Sequence, residues 1–265
     1  MYKNIFLHSI LTSRGCPYRC KFCSTGIFGR KTRFFSPERV VSEIEYIIKN
    51  FPEQDLIKFD DDLFTINIKR LEKIVSLIKE NKFHKKVCFS CNARINTLTP
   101  EVISLLREMN MNKILIGFES TSDNILKKYK GRVKSSQQQI VVDLCKKYGI
   151  NITATFIVGF PEETKEEMFK DYWFIKRNLR NNINDIRIYY PTPFPNNELW
   201  DYVKNKGLID ENFSKWEILN LDFSIDRTIY LTEKLDKNEF DKIYSTFLNL
   251  AKQIRNDFKL NWYKQ

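Results

Sequence analysis

The sequence has few histidines, no long hydrophobic run and no recognisable leader. Its two histidines among 265 residues, His8 and His84, stand in neither a catalytic triad nor a metal-ligand spacing, so both are expected to be structural. No apolar run approaches the roughly 20 residues that a bilayer-spanning helix needs. No small-residue cleavage site precedes the first cysteine, which argues against a signal peptide and makes the cytoplasm the expected location.

The composition is basic, with 44 Lys and Arg residues against 33 Asp and Glu residues and a formal net charge of +11. The densest basic stretch is KKYKGRVK, residues 127–134. A solvated loop is the simplest interpretation, because net charge bears on solubility and non-specific binding rather than on fold. An acidic or RNA substrate is the alternative.

Cysteine is sparse and unevenly placed. The six cysteines are Cys16, Cys20, Cys23, Cys88, Cys91 and Cys145, and the first three lie within eight residues. Such close spacing in a large, lysine-rich chain favours metal binding or catalysis over disulfide cross-links. Cys145 falls in the middle of a helical pattern and is expected to pack as a small apolar residue.

Short β-like runs alternate with amphipathic helical patterns, which favours βα units and a parallel sheet. The predicted strands are Ile5–Thr12, Leu56–Phe59, Val87–Ser90, Lys113–Phe118, Ile152–Val158 and Asp185–Tyr190. The predicted helices between them are 37–50, 67–81, 100–109, 135–148 and 165–180. This α/β pattern predicts a partial (β/α)6 TIM-like barrel, in which chemistry belongs to the loops at the carboxyl ends of the strands.

The chain changes character near Pro191, where three prolines fall within five residues. Helical patterns follow at about 198–206 and 236–256. No repeat of solenoid period and no low-complexity linker divides the chain. We therefore predict a catalytic core over residues 1–195 and a helical C-terminal extension over residues 196–265 that packs on it.

The strongest chemical signal is SRGCPYRCKFCS, residues 13–24, whose cysteines have the spacing C-x3-C-x2-C directly after the first predicted strand. Thiolates ligate iron–sulfur clusters, and three of them leave one iron of a [4Fe–4S] cube open for a small molecule. A zinc site is the alternative, with Cys88 or Cys91 completing the four ligands of a structural site. Residues three apart on a strand point to opposite faces, which disfavours that pairing.

This motif resembles the signature of the radical S-adenosylmethionine superfamily. The resemblance implies that Cys16, Cys20 and Cys23 hold the cube and that S-adenosylmethionine chelates its fourth iron through its amino and carboxylate groups. It also implies reductive cleavage to a 5′-deoxyadenosyl radical. The family commonly places an aromatic side chain of the motif near the adenine, a role open here to Tyr18 and Phe22. Packing in the core is the alternative for both.

Further segments resemble one branch of that superfamily, the cobalamin-associated radical enzymes related to the anaerobic magnesium-protoporphyrin ester cyclase. They are FGRKTRFFSPERVVSEIEYI, IKFDDDLFT, CNAR, ILIGFES and FIVGFPEET. The branch usually carries a cobalamin-binding domain ahead of the radical domain, and only some fifteen residues precede Cys16 here. We therefore expect that the chain works without cobalamin, that a separate protein supplies it in trans, or that the sequence is a fragment or a degenerate copy. Because no cysteine follows Cys145, the resemblance does not extend to the subgroup with auxiliary clusters.

Residues at the ends of the predicted strands are candidates for contact with the cofactor. The resemblance points to the pair Asp61 and Asp62 for the ribose or the ammonium group, and a helix-capping turn is the alternative. Arg94 could pair with the cofactor carboxylate or form a surface salt bridge. Glu119 is an acid at a buried strand end, where acids are uncommon unless paired or functional. Gly159 would let the backbone approach the adenine, or simply make the strand-to-helix turn.

We therefore expect a radical enzyme that binds a [4Fe–4S] cluster and S-adenosylmethionine and acts on a substrate that the sequence does not identify. One alternative is a methyltransferase or ring-forming cyclase whose cobalamin comes from a separate protein. The other is a zinc-stabilised, basic nucleic-acid-binding module. The radical enzyme that we expect would need an electron donor such as flavodoxin or ferredoxin, and it implies no nucleic-acid partner.

Overall fold

The computed structural model describes residues 8–179, 182–219 and 229–257. Its strands are β1 (His8–Ile10), β2 (Ser13–Arg14), β3 (Arg33–Phe34), β4 (Leu56–Phe59), β5 (Cys88–Arg94), β6 (Met111–Glu119), β7 (Asn151–Ile157) and β8 (Ile183–Tyr189). One parallel sheet contains β1, β4, β5, β6, β7 and β8 in that order, so β1 and β8 lie at its two ends. A separate antiparallel hairpin pairs β2 with β3.

Helices connect the parallel strands, as the alternating pattern predicts. They are α1 (Pro37–Asn50), α2 (Ile68–Glu80), α3 (Pro100–Glu108), α4 (Asp123–Ile125), α5 (Ser135–Tyr148), α6 (Lys165–Asn178), α7 (Glu198–Asn205) and α8 (Lys237–Asp257). The caps follow the sequence: Ser36 accepts the Arg39 N–H at the start of α1, and Gly149 ends α5 with a φ of 64°. The predicted α/β fold, an incomplete barrel followed by helices, is confirmed.

The central strands are buried on both faces, as parallel strands covered by helices should be. In β7, every residue from Ile152 to Ile157 is buried. Each long helix adds one apolar face, and α2 buries Leu71, Ile74, Val75 and Ile78. None of the helices in the described ranges is both long enough and apolar enough to cross a membrane.

The third predicted strand is too short at its carboxyl end. We predicted Val87–Ser90, whereas β5 continues to Arg94, which pairs with Gly117 of β6. The polar residues Asn92 and Arg94 broke the apolar pattern, but the ladder to β6 continues through them. This extension places Arg94 at the edge of the sheet where the other strands also end.

The C-terminal helix α8 packs on the edge strand β8. Phe240 and Phe247 are almost fully buried in the main core. Arg255 Nη2 donates to the Ile186 carbonyl of β8 over 3.1 Å. Phe240 also contacts Tyr190, with ring centroids 5.4 Å apart. The boundary that we drew at residue 195 stays a prediction.

Candidate functional site

The three clustered cysteines lie in the loop from β2 to β3, beyond the carboxyl end of β1. Asp61, after the neighbouring β4, anchors the start of this loop. It is fully buried; Oδ1 accepts the N–H groups of Thr12 at 2.6 Å and Ser13 at 3.1 Å, and Oδ2 accepts both hydroxyls at 2.6 Å. Four hydrogen bonds make Asp61 a positioning residue in this structure, and its direct contact with a cofactor stays a prediction.

The two flanking aspartates are exposed. Asp62 Oδ2 accepts the Gly15 N–H at 3.2 Å, one residue before Cys16, and Asp60 pairs with Lys58 at 2.6 Å. The next helix, α2, is capped by Asn67 instead, so helix capping, the alternative for this run of aspartates, is wrong. Asp62 presents a solvent-accessible carboxylate beside the cysteine loop, and its contact with a cofactor stays a prediction.

Cys16, Cys20 and Cys23 are free thiols of intermediate exposure. Burial raises the pKa of the Cys16 thiol. Burial also raises the pKa of Cys20, and the positive charges of Arg94 and Lys130 act against that rise. Accessible thiols on one short loop, with two cations beside one of them, are suited to bind a metal cluster as thiolates.

Arg94 is directed from the end of β5 at the cysteine loop. Its Nη1 donates to Cys20 Sγ at 2.8 Å, and its Nη2 donates to the carbonyls of Lys130 at 2.7 Å and Gly131 at 2.5 Å. The side chain is buried and these partners are a thiol and backbone oxygens, so the surface salt bridge considered for Arg94 is wrong. The guanidinium ties Cys20 to the segment after β6, and its pairing with a cofactor carboxylate stays a prediction.

Tyr18 covers the guanidinium of Arg94, with the ring centroid 4.3 Å from the guanidinium carbon. Asn96 binds both side chains: its Oδ1 accepts the Arg94 Nε–H at 2.8 Å and its Nδ2 donates to the Tyr18 hydroxyl at 3.0 Å. Contacts between a cation and a ring contribute roughly 0.5–2 kcal/mol. Tyr18 therefore packs on Arg94, and a role near the adenine stays a prediction.

A buried ion pair follows β6. Lys130 Nζ lies 3.0 Å from Glu119 Oε1 and also donates to the Gly117 carbonyl at 2.5 Å. Glu119 Oε2 accepts the Thr155 hydroxyl at 3.3 Å. The side chains of Lys130 and Glu119 are 3% and 13% exposed, and a Cβ at Gly117 would collide with both. The predicted buried acid is thus paired with a lysine, and Gly117 leaves room for the pair.

Two backbone irregularities bring this pair together. Glu119 is left-handed, with a φ of 67°, at a bulge in the pairing of β6 with β7. Lys130 is the last residue of a π-helical turn, in which the Gly131 N–H donates a hydrogen bond to the Leu126 carbonyl. Both kinds of irregularity concentrate at functional sites. The prediction of a solvated loop over 127–134 is wrong at Lys130, which is buried.

A cavity of about 470 Å³ opens between the cysteine loop and the ends of β6, β7 and β8. Its lining is mostly apolar and includes Phe22, Cys23, Glu119, Ile157, Tyr189 and Tyr190. Phe22 lies on this wall and also packs towards Phe160, with ring centroids 6.0 Å apart. One predicted cluster ligand and one buried acid therefore share a single apolar cavity.

Gly159 follows β7 with a φ of 106°. A Cβ here would lie 2.7 Å from the Phe240 ring and 2.8 Å from the Tyr190 ring. Glu163 Oε2 accepts the N–H groups of Gly159 at 2.7 Å and Phe160 at 3.2 Å, which forms the strand-to-helix turn. The close approach that requires glycine is to two aromatic rings, and an approach to the adenine stays a prediction.

The remaining cysteines take no part in this loop. Cys88 lies at the amino end of β5 and donates to the Asp55 carbonyl at 3.1 Å, whereas Cys91 and Cys145 are buried in the core. Burial raises the pKa of Cys145 to about 12. Across the described ranges, no three His, Cys, Asp or Glu side chains surround a single-ion site. The three thiols of the loop are one fewer than the four ligands of structural zinc, whereas a cube with one open iron takes three, so the donor set fits a cluster better.

Lys130, Asn96 and Thr12 are site residues that sequence reasoning missed. Lys130 had a signal, because it lies four residues after Leu126, so on a helix the two side chains would share one face. A lysine on an apolar helical face is a candidate for a buried ion pair. Asn96 and Thr12 carry no comparable signal, since their roles depend on partners that the fold brings from distant positions.

Known proteins are similar to this chain over most of its length. The family model of the Radical SAM superfamily matches residues 10–175. An uncharacterized methyltransferase of Pyrococcus horikoshii is 33% identical over 214 residues, which are 80% of this chain and 45% of that protein. The anaerobic magnesium-protoporphyrin IX monomethyl ester cyclase of Rubrivivax gelatinosus is 29% identical over 196 residues, 72% of this chain and 35% of that protein. The chain spans less than half the length of these relatives.

Solved structures share the fold. The methyltransferase TsrM of Kitasatospora setae, with cobalamin and a [4Fe–4S] cluster bound, matches with a TM-score of 0.68 and 18% identity over 76% of this chain and 37% of that chain. The cobalamin-dependent radical enzyme OxsB, with aqua-cobalamin and S-adenosylmethionine bound, matches with a TM-score of 0.58 and 20% identity over 96% of this chain and 36% of that chain. At these identities the likeness is one of fold.

Proposed function

This chain belongs to the radical S-adenosylmethionine superfamily, and from that premise we propose that it binds a [4Fe–4S] cluster through Cys16, Cys20 and Cys23 and cleaves S-adenosylmethionine reductively. The observation that carries the proposal is the loop of three accessible thiols, one of which, Cys23, lines the cavity. When bound, the cluster would supply the electron that splits the cofactor into methionine and a 5′-deoxyadenosyl radical.

The chain's own residues have three tasks in this proposal. The apolar cavity wall excludes water, which protects a reactive species from side reactions. Arg94 holds Cys20 in place, and Asp61 holds the start of the loop. Glu119 presents a carboxylate to the cavity, with its charge balanced by Lys130.

The candidate cofactor contacts differ in their exposure and in the number of protein groups that already bind them. Asp62 is exposed, and Phe22 and Glu119 line the cavity, so these three are our candidates for direct contact. Asp61 and Arg94 are buried and saturated by protein partners, so we propose that they act by positioning the loop.

The proposal is tested by electron paramagnetic resonance (EPR) of the anaerobically reconstituted, dithionite-reduced protein, with and without S-adenosylmethionine. We expect a reduced-cluster signal whose shape changes when the cofactor is added. Cys20→Ala should lose iron and the signal, whereas Cys88→Ala, at the other end of the sheet, should keep both. Zinc without acid-labile sulfide in the parent, or a full iron complement in Cys20→Ala, would contradict the ligand assignment.

A second candidate is a methyltransferase or cyclase that uses cobalamin from a separate protein. The names of the relatives favour it, because they include a methyltransferase and a ring-forming cyclase. Titration of the isolated chain with hydroxocobalamin separates the two functions. Tight binding, or a stable complex with a cobalamin-carrying protein, supports this candidate; its absence under conditions in which the cofactor is cleaved argues for cobalamin-free chemistry.

We further propose an external electron donor such as flavodoxin or ferredoxin, because reductive cleavage consumes an electron that the chain does not generate. The core over residues 1–195 would contain the whole catalytic site, with residues 196–265 packing on it. A cytoplasmic location is consistent with the six free thiols, since disulfides form in oxidising compartments.

A further inference from the structure

We propose that the hairpin of β2 and β3 and the adjoining cysteine loop form the docking surface for a small, acidic electron-carrier protein. This inference rests on the proposed function, because a cluster that is reduced from outside needs a partner that brings the electron. The transfer moves one electron: the carrier loses it and the cluster gains it, with no change in covalent bonds.

The first observation is the charge around the cysteines. Residues 13–37 contain six Lys and Arg residues and no Asp or Glu. Five of the six are exposed, and we call them the basic collar: Arg14, Arg19, Arg30, Lys31 and Arg33. The sixth, Lys21, pairs with Glu198 at 2.8 Å. A cationic rim of this kind steers an acidic protein and raises its association rate.

The second observation is the register of the hairpin. Arg14 and Arg33 are direct partners across β2 and β3, and both are exposed. The register therefore sets two exposed guanidinium-bearing residues side by side on the hairpin, where they concentrate positive charge.

The third observation concerns what else this surface exposes. Phe34 on β3 is 38% exposed, and Ile27 of the cysteine loop, which also lines the cavity, is 62% exposed. Apolar side chains among arginines are typical of protein interfaces, in which aromatic residues and Arg are enriched. The exposed carboxylate of Asp62 also lies beside the loop, but the five cations of the basic collar outnumber it, so the surface is predominantly positive.

A protein carrier fits this surface better than a nucleic acid does. The collar includes residues of the cysteine motif itself, because Arg14 and Arg19 flank Cys16 in the sequence. Cys16, Cys20 and Cys23 are partly exposed there. A partner seated on the collar would thus lie against the cluster ligands, where a redox carrier is useful and an RNA strand would only cover them.

The experiment follows reduction of the reconstituted full chain by pre-reduced flavodoxin, a small acidic flavoprotein, using freeze-quenched EPR at several salt concentrations. For the variant Arg14→Glu/Arg33→Glu, we expect the second-order rate constant to fall by roughly tenfold or more at low salt. The difference should narrow as salt screens the charges. A matched control is Lys242→Glu/Lys252→Glu, which makes the same change of charge on two exposed positions of α8.

Reduced methyl viologen, a small cation, provides the second control. Because it needs no docking surface, the hairpin variant should accept electrons from it at least as fast as the parent. Unchanged rates with flavodoxin, equal slowing in the α8 variant, or equal slowing with methyl viologen would each overturn the inference. Loss of salt-dependent RNA retention with unchanged flavodoxin rates would overturn it in favour of nucleic acid.

Failure of the proposed function has a different signature. It would show as a parent protein whose EPR signal is missing or does not respond to S-adenosylmethionine, and the docking inference would fall with it. An intact, cofactor-responsive signal combined with charge-insensitive reduction overturns the docking inference alone.

Discussion

Arg94 Nη1 lies 2.8 Å from Cys20 Sγ, so a fixed positive charge and an N–H donor stand beside one proposed cluster ligand. Tyr18 and Asn96 hold the guanidinium from its other sides. Hydrogen bonds to the ligand sulfurs and nearby charge set the potential of iron–sulfur clusters, because they stabilise the more negative, reduced state. We therefore expect Arg94 to raise the reduction potential of the cluster without being one of its ligands.

Replacing Arg94 should make the cluster harder to reduce. We expect Arg94→Gln to lower the reduction potential by on the order of 100 mV, since a charged hydrogen bond contributes roughly 1.5–3 kcal/mol and 59 mV is tenfold for one electron. A redox titration monitored by EPR gives the value. Arg94→Lys keeps the charge but not the planar fork, so it should shift the potential less. Equal potentials in all three proteins would contradict this role.

Variants of Asp61 and Asp62 should distinguish a residue that positions the cysteine loop from one that contacts the cofactor. Asp61→Ala leaves four buried donors at Thr12 and Ser13 without their acceptor, so we expect the free energy of unfolding to fall by about 3 kcal/mol or more. Asp62→Ala alters an exposed side chain and should change it by less than about 0.5 kcal/mol. Urea unfolding of the cluster-free chain measures both.

The same two variants also test which aspartate contacts the cofactor. Asp62→Ala should weaken the response of the EPR signal to S-adenosylmethionine in a titration, although its stability is that of the parent. If Asp61→Ala were as stable as the parent and lost only the cofactor response, Asp61 would be a contact and its positioning role would be wrong.

Gly159 should tolerate no side chain. Gly159→Ala places a methyl group against Phe240 and Tyr190 at a φ of 106°, and we expect a loss of about 2–5 kcal/mol from strain and overpacking. Gly149→Ala is the matched control, because its φ is also positive but no atom lies within 4 Å of the added Cβ. It should cost about 1 kcal/mol. If urea unfolding showed the same loss of free energy of unfolding in both variants, overpacking against the two rings would be ruled out.

The contribution of Asp171 to the free energy of unfolding should fall as the pH rises from about 4 to about 7. Asp171 on α6 is fully buried and accepts the N–H of Thr121 at 2.5 Å and its hydroxyl at 2.6 Å. Burial raises the pKa of Asp171 to about 7. Since the folded state holds this proton more tightly than the unfolded state, its contribution is complete below the unfolded pKa and is lost as the pH passes the folded pKa.

Asp171→Asn tests this pH dependence, because asparagine keeps an acceptor oxygen and cannot ionise. Urea unfolding between pH 4 and pH 8 should show a flatter profile for the variant than for the parent. Burial also raises the pKa of Glu163, so part of the slope should remain in Asp171→Asn. An unchanged slope would mean that Asp171 is not the group that titrates.

The fold was predictable because it depends on local periodicity. Apolar spacing located α1 and α2, and Ser36 with Pro37 marked a helix start at the correct residue. The cysteine loop was predictable because its chemistry is compressed into eight residues. Such signals need no knowledge of which segments become neighbours.

The supporting contacts were not predictable for the opposite reason. Arg94 meets Cys20 across 74 residues of sequence, and Lys130 reaches Glu119 only because a π turn and a bulge redirect both side chains. Predictions from hydrophobic periodicity assume regular helices and strands, so they fail where the backbone is irregular. Asp61 shows the same limit: its type and position were noticed, but its partners were not.

The contact between Phe240 and Gly159 bears on how the protein is made. The wall beside β7 is completed by a helix that leaves the ribosome long after the cysteine loop does. At about 5–20 residues per second, the 217 residues from Cys23 to Phe240 take on the order of 10–40 s to synthesise. For most of that interval the cysteine loop is already synthesised, whereas α8 is not yet there to pack against Gly159 and Tyr190. The cysteine loop thus exists for tens of seconds before the helix that covers the edge strand β8.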